Sequence, residues 1–370
     1  MRIVTLTFHR AHNYGAVLQA YALQKIIEEE LKTECDVMDY RNPYIEWTYR
    51  LIRFDDFLHP KTLLRHLYFL KRNIVMKYCF AAFRNHYLKQ SEGTYNPKNI
   101  KEIAGKYDLF ITGSDQVWNG NLTGNDDTYY LNFLNKASKR ASYAASFGVH
   151  GLGMNTSTQV KAYLKDFAGI SVREQEGINL LHAMGLKGEV VLDPTFLLER
   201  AAWEKLAKDP KENQKYVLIF IMTLSKTLLE EALQFSKKHN CVPIYINLYD
   251  MKTPKGMKVK TGVCVNKWLG YIKGAEYIFT NSFHAMAFSI IFEKQFFYEK
   301  NRSKGAPNSR FESLMKVTGI QNREIGERKV LEENRQIDYQ KVKEQLEGER
   351  KKSIGYLRKI IQDKKKEVEE

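Results

Sequence analysis

Apolar and polar residues alternate along this chain in two periodicities, one typical of buried strands and the other of helices. A β-branched run at Met1–Phe8 (MRIVTLTF) is followed by apolar positions at helical spacing in Ala16–Leu31 (AVLQAYALQKIIEEEL). This β-loop-α order predicts the start of a parallel sheet. Further strands are predicted at Cys35–Tyr40, Asp108–Thr112, Arg140–Phe147, Ile170–Arg173 and Glu189–Asp193.

A second series of the same kind begins after Asp209-Pro210, where polar residues predict a linker. Its strands are predicted at Lys215–Met222, Cys241–Asn247, Ala275–Thr280 and Gln295–Glu299. The repeated alternation predicts an α/β fold with two Rossmann-like domains, residues 1–208 and 209–337, facing each other across a cleft. Residues 338–370 have the mixed charge typical of a solvated terminal helix. Ligands are expected at the carboxyl ends of the strands.

The segment Phe57–Gln90 interrupts the alternation. It contains seven Lys or Arg residues and no acidic residue, interleaved with large apolar side chains. One or two basic amphipathic helices are predicted, and two interpretations remain open. The helices either lie on an anionic lipid surface or pack on the sheet with their basic faces in water.

Composition narrows the class of protein. The 370 residues carry a formal net charge of +15. A charge of this sign and size favours binding to nucleic acid, to an anionic membrane face or to anionic substrates, or it serves only to keep the protein in solution. No nucleic-acid-binding motif is present, so no nucleic acid partner is predicted. The four cysteines are far apart and form no CxxC pair, which predicts a reducing compartment without disulfides or structural zinc. Since neither a signal peptide nor a long apolar run is found, a cytoplasmic location is expected.

Four polar segments follow predicted strands at the edge where a ligand is expected. Each has a purely structural alternative: a plain turn for the first, helix capping for the second, a salt bridge for the third and a core histidine for the fourth. The segments are His9–Gly15, Gly113–Asn119, Arg173 with Glu174, and Thr280–His284.

Six motifs in order resemble the polysaccharide pyruvyl transferase family over nearly the whole chain. They are HRAHNYGAVLQAYAL, DLFITGSDQVWN, SYAASFG, ISVREQEG, VVLDPTFLL and TNSFHAMAFSIIF. The resemblance implies a fold similar to GT-B glycosyltransferases and phosphoenolpyruvate as the donor, with no other cofactor and no metal. The product would be a pyruvate ketal on two hydroxyls of one sugar in a capsule or exopolysaccharide precursor.

The family's site residues transfer to matching positions of this sequence. His284 is expected as the proton donor and Asp115 as the base or acceptor-orienting group, while Arg173 is expected to grip the donor. On the acceptor side the resemblance indicates four residues. These are Asn13, Tyr14, Gly15 and Trp118.

One position departs from the family pattern. Many members have an arginine two residues before the histidine, and this chain has Ser282 at that position. Ser282 is still expected to be one of the donor-binding residues. Arg310 is predicted to supply the missing cation. Less favoured candidates are Lys300, Arg302 and Lys304.

The acceptor is expected to be a sugar or a lipid-linked oligosaccharide. A peripheral position on the inner face of the plasma membrane corresponds to the first of the two open interpretations of the basic segment. Two other functions remain open. One is a GT-B-type glycosyltransferase that uses a nucleotide sugar, and the other is a catalytically silent binding protein with the same fold.

Overall fold

A computed structural model describes most of the chain. The described residues are 1–51, 60–136, 139–248, 254–301, 308–326 and 330–369. Within these ranges no helix combines the length and the apolar character that crossing a bilayer requires.

The N-terminal part forms a parallel sheet with strand order β2-β1-β3-β4, extended by a parallel β5-β6 pair whose strand β5 is bridged to Ala145. Its strands are β1 (Arg2–Leu6), β2 (Glu34–Val37), β3 (Leu109–Thr112), β4 (Arg140–Ser142), β5 (Ser171–Val172) and β6 (Glu189–Val190). Its helices are α1 (Tyr14–Lys25), α2 (Pro43–Thr48), α3 (Pro60–Tyr87), α4 (Gly120–Thr123), α5 (Met154–Leu164), α6 (Gln175–Ala183) and α7 (Arg200–Leu206).

The C-terminal part forms a second parallel sheet with strand order β11-β10-β7-β8-β9. Its strands are β7 (Tyr216–Phe220), β8 (Val242–Ile246), β9 (Lys258–Lys260), β10 (Tyr277–Thr280) and β11 (Gln295–Tyr298). Its helices are α8 (Lys226–Lys238), α9 (Val265–Gly274), α10 (Phe283–Ile291), α11 (Ser309–Thr318) and α12 (Val330–Glu333). The two parallel sheets confirm the predicted fold class, whereas the domain bounds remain predictions.

Several predicted strands are shorter in the structure. The pattern Arg140–Phe147 yields only Arg140–Ser142, since Ala144 has a positive φ of 51° that interrupts the extended backbone. Strand β6 likewise ends at Val190, because the following residues lead into a 3₁₀ turn, Pro194–Phe196.

The final helix, α13 (Tyr339–Glu369), is not the solvated element that its charge pattern predicted. Ile354, Leu357 and Ile361 are buried in the main apolar core. Tyr356 Oη donates to the Ser142 carbonyl oxygen at 2.9 Å, so the chain returns from the second sheet to the first. The many charged residues of α13 made the whole helix look solvated in the sequence. Its apolar residues nevertheless form a narrow stripe along one side, which is sufficient for packing against the core.

The basic segment forms one helix, α3, which joins the N-terminal part to the C-terminal part. Its residue Cys79 forms a disulfide with Cys264, just before α9, with Cα atoms 4.9 Å apart. This contradicts the predicted absence of disulfides. The two cysteines are 185 residues apart in sequence, a separation that gives no information about their distance in space. Cys35 and Cys241 are free thiols.

Candidate functional site

A cleft of about 620 Å³ opens at the carboxyl ends of the two sheets, where the order of strands and helices predicted a ligand. Both parts of the chain contribute to it. The first wall comprises Phe8, Ala11, Asn13, Ala16, Tyr44, Ile45, Thr48, Tyr49, Asp115, Gln116, Asn119, Asn121 and Leu122. The second wall comprises Met222, Thr223, Ser282, Phe283, His284, Asn301 and Arg310.

The start of α1 brings the two walls together. Asn13 caps this helix, with its Oδ1 accepting from the backbone N–H of Gly15 at 3.0 Å. Gly15 lies directly against the imidazole of His284, since a Cβ atom added at Gly15 would lie 2.0 Å from His284 Nδ1. Only glycine therefore permits this approach.

Asp115 lies at the centre of the first wall in a strained conformation. Its φ is +77°, a left-handed value that is uncommon for a non-glycine residue. Its Oδ1 accepts from the Gln116 N–H at 2.9 Å and lies 3.7 Å from Arg173 Nη2. Backbone strain of this kind is concentrated at functional sites, which agrees with the predicted position of Asp115 in the cleft.

Arg173 is 5% exposed and lies beneath the cleft floor rather than in the large cavity. Besides Asp115, its guanidinium contacts Asp193 Oδ2 through Nη1 at 3.1 Å and Glu174 Oε2 through Nε at 3.5 Å. Although burial opposes it, these carboxylates raise the pKa of Arg173. Its face also packs on the Phe283 ring at 4.6 Å. Arg173 is thus already neutralised by protein carboxylates.

Asp193 links the two walls, and the sequence reasoning assigned it no role. Its Oδ2 accepts from Ser114 Oγ at 3.0 Å and from Arg173, and it lies 3.5 Å from His284 Nε2. Its Oδ1 accepts from Thr195 N at 3.0 Å. Burial would raise the pKa of Asp193, but His284 and Arg173 hold it well below its usual range. An aspartate at the end of a predicted strand, in VVLDPTF, was the available signal.

His284 and Ser282 occupy the start of α10 on the second wall. Ser282 Oγ caps the helix by accepting from Ala285 N at 3.4 Å, so this residue has a structural role at the cleft edge. The N–H groups of Phe283 and His284 in the first turn have no hydrogen-bond partner within the described ranges. Such groups, together with the helix dipole, favour an anion. The ring of His284 is 7% exposed, with Nε2 enclosed by protein.

Arg310, in α11, is the cation of the second wall. It lines both the large cavity and a smaller one beside Arg173, and no ion pair to it occurs among the described residues. Its Nε is buried without a hydrogen-bond partner. Burial, with repulsion from Arg173, lowers the pKa of Arg310 to about 10. By contrast, Lys300 is paired with Glu312 and Glu324, while Arg302 and Lys304 lie outside the described residues.

Two predicted acceptor residues lie in the core. Tyr14 is stacked on Trp268 and its hydroxyl donates to the Val263 carbonyl oxygen at 2.6 Å. The indole of Trp118 is stacked on Tyr130, and its Nε1 donates to a backbone carbonyl. These packed positions contradict a contact with an acceptor in this cleft. A motif does not distinguish a buried aromatic residue from an exposed one, because burial depends on the fold.

Different aromatic residues line the first wall, in a segment to which the sequence analysis assigned no role. Tyr44 in α2 is 47% exposed, and Tyr49 follows the same helix. Asn119, Asn121 and Gln116 lie on this wall as well. The first wall therefore offers aromatic rings and amides, and the second wall offers an imidazole, an arginine and a helix N-terminus.

Solved structures support the fold. The UDP-GlcNAc 2-epimerase of Neisseria meningitidis, bound to UDP-GlcNAc, is similar over 98% of this chain and 99% of its own, with 10% identity and a TM-score of 0.51. The S. aureus MnaA-UDP structure is similar over 93% and 90%, with 12% identity and a TM-score of 0.52. These neighbours confirm the GT-B-type architecture.

The curated proteins contain no match to this chain. A family model nevertheless matches residues 13–301, a range that includes all the motifs except the first residues of the first one, together with the cleft residues from Asn13 to Asn301. On this match, the chain belongs to the polysaccharide pyruvyl transferase family.

Proposed function

We propose that the protein transfers the pyruvyl group of phosphoenolpyruvate to two hydroxyls of one sugar, forming a cyclic ketal in a cell-surface polysaccharide precursor. One observation supports this most strongly: the imidazole of His284 and the guanidinium of Arg310, which has no ion pair among the described residues, face a wall of tyrosines and amides across a single cleft. The imidazole and the arginine are suited to an anionic donor, and the tyrosines and amides are suited to a neutral sugar.

The donor is proposed to bind the second wall. Phosphoenolpyruvate carries a carboxylate and a phosphate, so it requires cations and N–H donors at fixed positions. Arg310 supplies a guanidinium without an ion pair in the described part of the chain, and the first turn of α10 supplies free N–H groups. Arginine is suited to both anionic groups because its donors form a planar fork. Ser282 is then proposed to support donor binding by capping this turn, while Arg310 supplies the positive charge.

The proton is proposed to come from His284. Protonation of the methylene carbon of the donor gives cationic character to the carbon that bears phosphate, and a sugar hydroxyl attacks that carbon. The second hydroxyl then displaces phosphate, each hydroxyl losing its proton. Asp193 lies on the Nε2 side of His284, and Nδ1 is adjacent to Gly15. We therefore assign the transfer to Nδ1, with Asp193 as a positioning residue.

Asp115 is proposed to accept a proton from, or to orient, the attacking hydroxyl. It lines the cleft on the first wall, on the opposite side from Arg310. Arg173 is proposed as a positioning residue instead of the anion grip that the resemblance implied. Its contacts with Asp115 and Asp193 hold both carboxylates in place, and their charge leaves it little capacity for a further anion.

The acceptor is proposed to bind the first wall. Tyr44 and Tyr49 offer rings on which the apolar face of a sugar can pack, and Gln116 and Asn121 offer amides for its hydroxyls. Asn13 lies at the same wall, as the resemblance implied. A lipid-linked oligosaccharide at the inner face of the plasma membrane is proposed as the acceptor, with the protein cytoplasmic and peripheral.

The test is incubation with phosphoenolpyruvate and candidate lipid-linked sugars, followed by mass spectrometry. A mass gain of pyruvic acid less one water, with stoichiometric phosphate release, is expected. His284→Ala should lose about 10²–10⁴ of the rate, as is typical for a general acid. His182→Ala, at an exposed histidine of α6, is the matched control and should retain activity.

Binding separates the proposal from its alternatives. Phosphoenolpyruvate should raise the melting temperature of the wild-type protein, and Arg310→Gln should reduce that shift. Stabilisation by UDP-GlcNAc but not by phosphoenolpyruvate would contradict the proposal and favour a nucleotide-sugar enzyme. Failure of every donor to bind would instead favour a silent binding protein.

A further inference from the structure

Helix α3 is apolar on two faces, one packed in the main core and the other largely exposed among the described residues, with Val75 alone at its margin lying beside Gly262. Its inner face contributes Met76, Phe80 and Phe83 to the main core, where all three are buried. Cys79 joins the same face to the C-terminal part of the chain. An amphipathic helix packed in this way normally presents polar residues to water on its opposite side.

The opposite side is instead apolar and aromatic. It forms an outer stripe made of Leu67, Tyr68, Lys71, Ile74, Val75 and Tyr78. Tyr68 is 81% exposed and Tyr78 is 73% exposed, and five of the twelve exposed large hydrophobic residues in the described part of the chain belong to this stripe. At about 100° per residue the stripe covers one side of the helix. An exposed apolar patch of this kind marks an interaction surface.

Charge identifies the partner. Helix α3 contains six Lys or Arg residues and no acidic residue over Pro60–Tyr87. Lys71 lies within the outer stripe, while Arg72 and Lys77 flank it on opposite sides at helical spacing. A second copy of the chain packed through this face would place like charges against each other, a costly arrangement. An anionic bilayer instead satisfies both properties, because lysine stems lie along apolar surface while their charges reach the phosphates.

We propose that the outer stripe of α3 docks the protein on the surface of an anionic bilayer, without spanning it. Tyrosines suit the boundary between headgroups and acyl chains, since each has an apolar ring and a polar hydroxyl. The docked helix lies close to the cleft. Phe80 on the inner face stacks on His12 with ring centres 5.4 Å apart, and His12 contacts Tyr49 of the first wall. Docking would thus bring the acceptor wall near the lipid surface.

Vesicle flotation tests this surface without any substrate, so its outcome is separate from that of pyruvyl transfer. The wild-type chain should float with vesicles of phosphatidylcholine and phosphatidylglycerol, but not with phosphatidylcholine alone. Lys71→Gln with Lys77→Gln should weaken binding about 30-fold, since each surface cation contributes roughly fivefold. Ile74→Ser with Tyr78→Ser should also abolish flotation, because it removes the inserted apolar groups.

The matched control is Lys237→Gln with Lys238→Gln, which removes two exposed lysines at the end of α8. This variant should float like the wild type. If the lysine changes in α3 and those in α8 weakened vesicle binding equally, the proposal would be overturned, because the attraction to the vesicle would then be due to net charge alone. Unchanged flotation of the α3 variants would also overturn it. So would a wild-type dimer in light scattering that the Ile74 and Tyr78 changes dissociate, since a second copy would then cover the stripe.

Discussion

Two arginines lie close to the same cleft and have opposite surroundings. Arg173, beneath the floor, contacts Asp115, Glu174 and Asp193 at 3.1 to 3.7 Å. Arg310, on the second wall, lacks an ion pair within the described ranges, and its pKa is lowered rather than raised. The first guanidinium has its counter-charges built into the fold, and the second would gain one from a ligand.

This difference separates an organising cation from a binding cation. A buried guanidinium with three carboxylates orders the groups around it, and an added anion would meet surplus negative charge. The guanidinium of Arg310 is partly buried and has no carboxylate partner among the described residues, so it pays a desolvation cost that an anionic ligand would relieve. Proximity to the cleft is therefore insufficient for assigning a role, and the counter-charge of each residue has to be known.

Removal of Arg173 should have the largest effect on stability. Arg173→Met leaves three buried carboxylates without their cation, and breaking a buried pair from one side costs about 3–5 kcal/mol. Urea denaturation should show this loss in the free energy of unfolding. Arg200→Met removes a surface arginine paired with Glu204 and Glu293, and should cost about 1 kcal/mol or less. Equal losses in the two variants would contradict the organising role of Arg173.

Removal of Arg310 should mainly weaken donor binding. Arg310→Gln loses charge-assisted hydrogen bonds worth about 1.5–3 kcal/mol, so KM for phosphoenolpyruvate should rise about 10- to 100-fold. The stability of this variant should be unchanged or slightly higher, because it removes a partly buried charge that has no ion pair among the described residues. Lys316→Gln, an exposed change in the same helix, should leave KM unaltered. A large loss of stability without a change in KM would make Arg310 a structural residue like Arg173.

The smallest predicted effect is a pH dependence of stability due to His12, which lies near a third arginine, Arg84. Arg84 is a buried residue of α3, and the burial of His12 together with the charge of Arg84 lowers the pKa of His12 to about 4. Because the pKa is lower in the folded state than in the unfolded one, stability is complete above about pH 6.5 and falls as the pH drops towards 4. Between pH 7 and 5.5 the loss is about 1 kcal/mol.

His12→Phe should keep the stacking on Tyr49 and Phe80 while removing the titrating group. Denaturation at the two pH values should then show a smaller difference for the variant than for the wild type. His86→Phe replaces an exposed histidine of α3 and should leave the stability difference between the two pH values unchanged. An unchanged pH dependence in His12→Phe would show that other groups are responsible for it.

Sequence patterns predicted elements well where local spacing was decisive. Both predicted strand series appear with parallel pairing, and the predicted polar segment Thr280–His284 lies between strand β10 and the start of helix α10. The cleft residues Asn13, Asp115, His284 and Arg310 were also named from the sequence. Strand ends were less accurate, since β4 stops where a backbone turn, rather than side-chain hydrophobicity, ends the pairing.

By itself the sequence determined the α/β fold, the family and most of the residues around the cleft, because these depend on periodicity and on motifs of adjacent residues. Only the tertiary structure decided that Tyr14 and Trp118 are core residues, that Asp193 lies 3.5 Å from His284, and that Cys79 meets Cys264. Burial, counter-charge and distance are properties of packing between remote segments. They arise only when the chain has brought both sheets together.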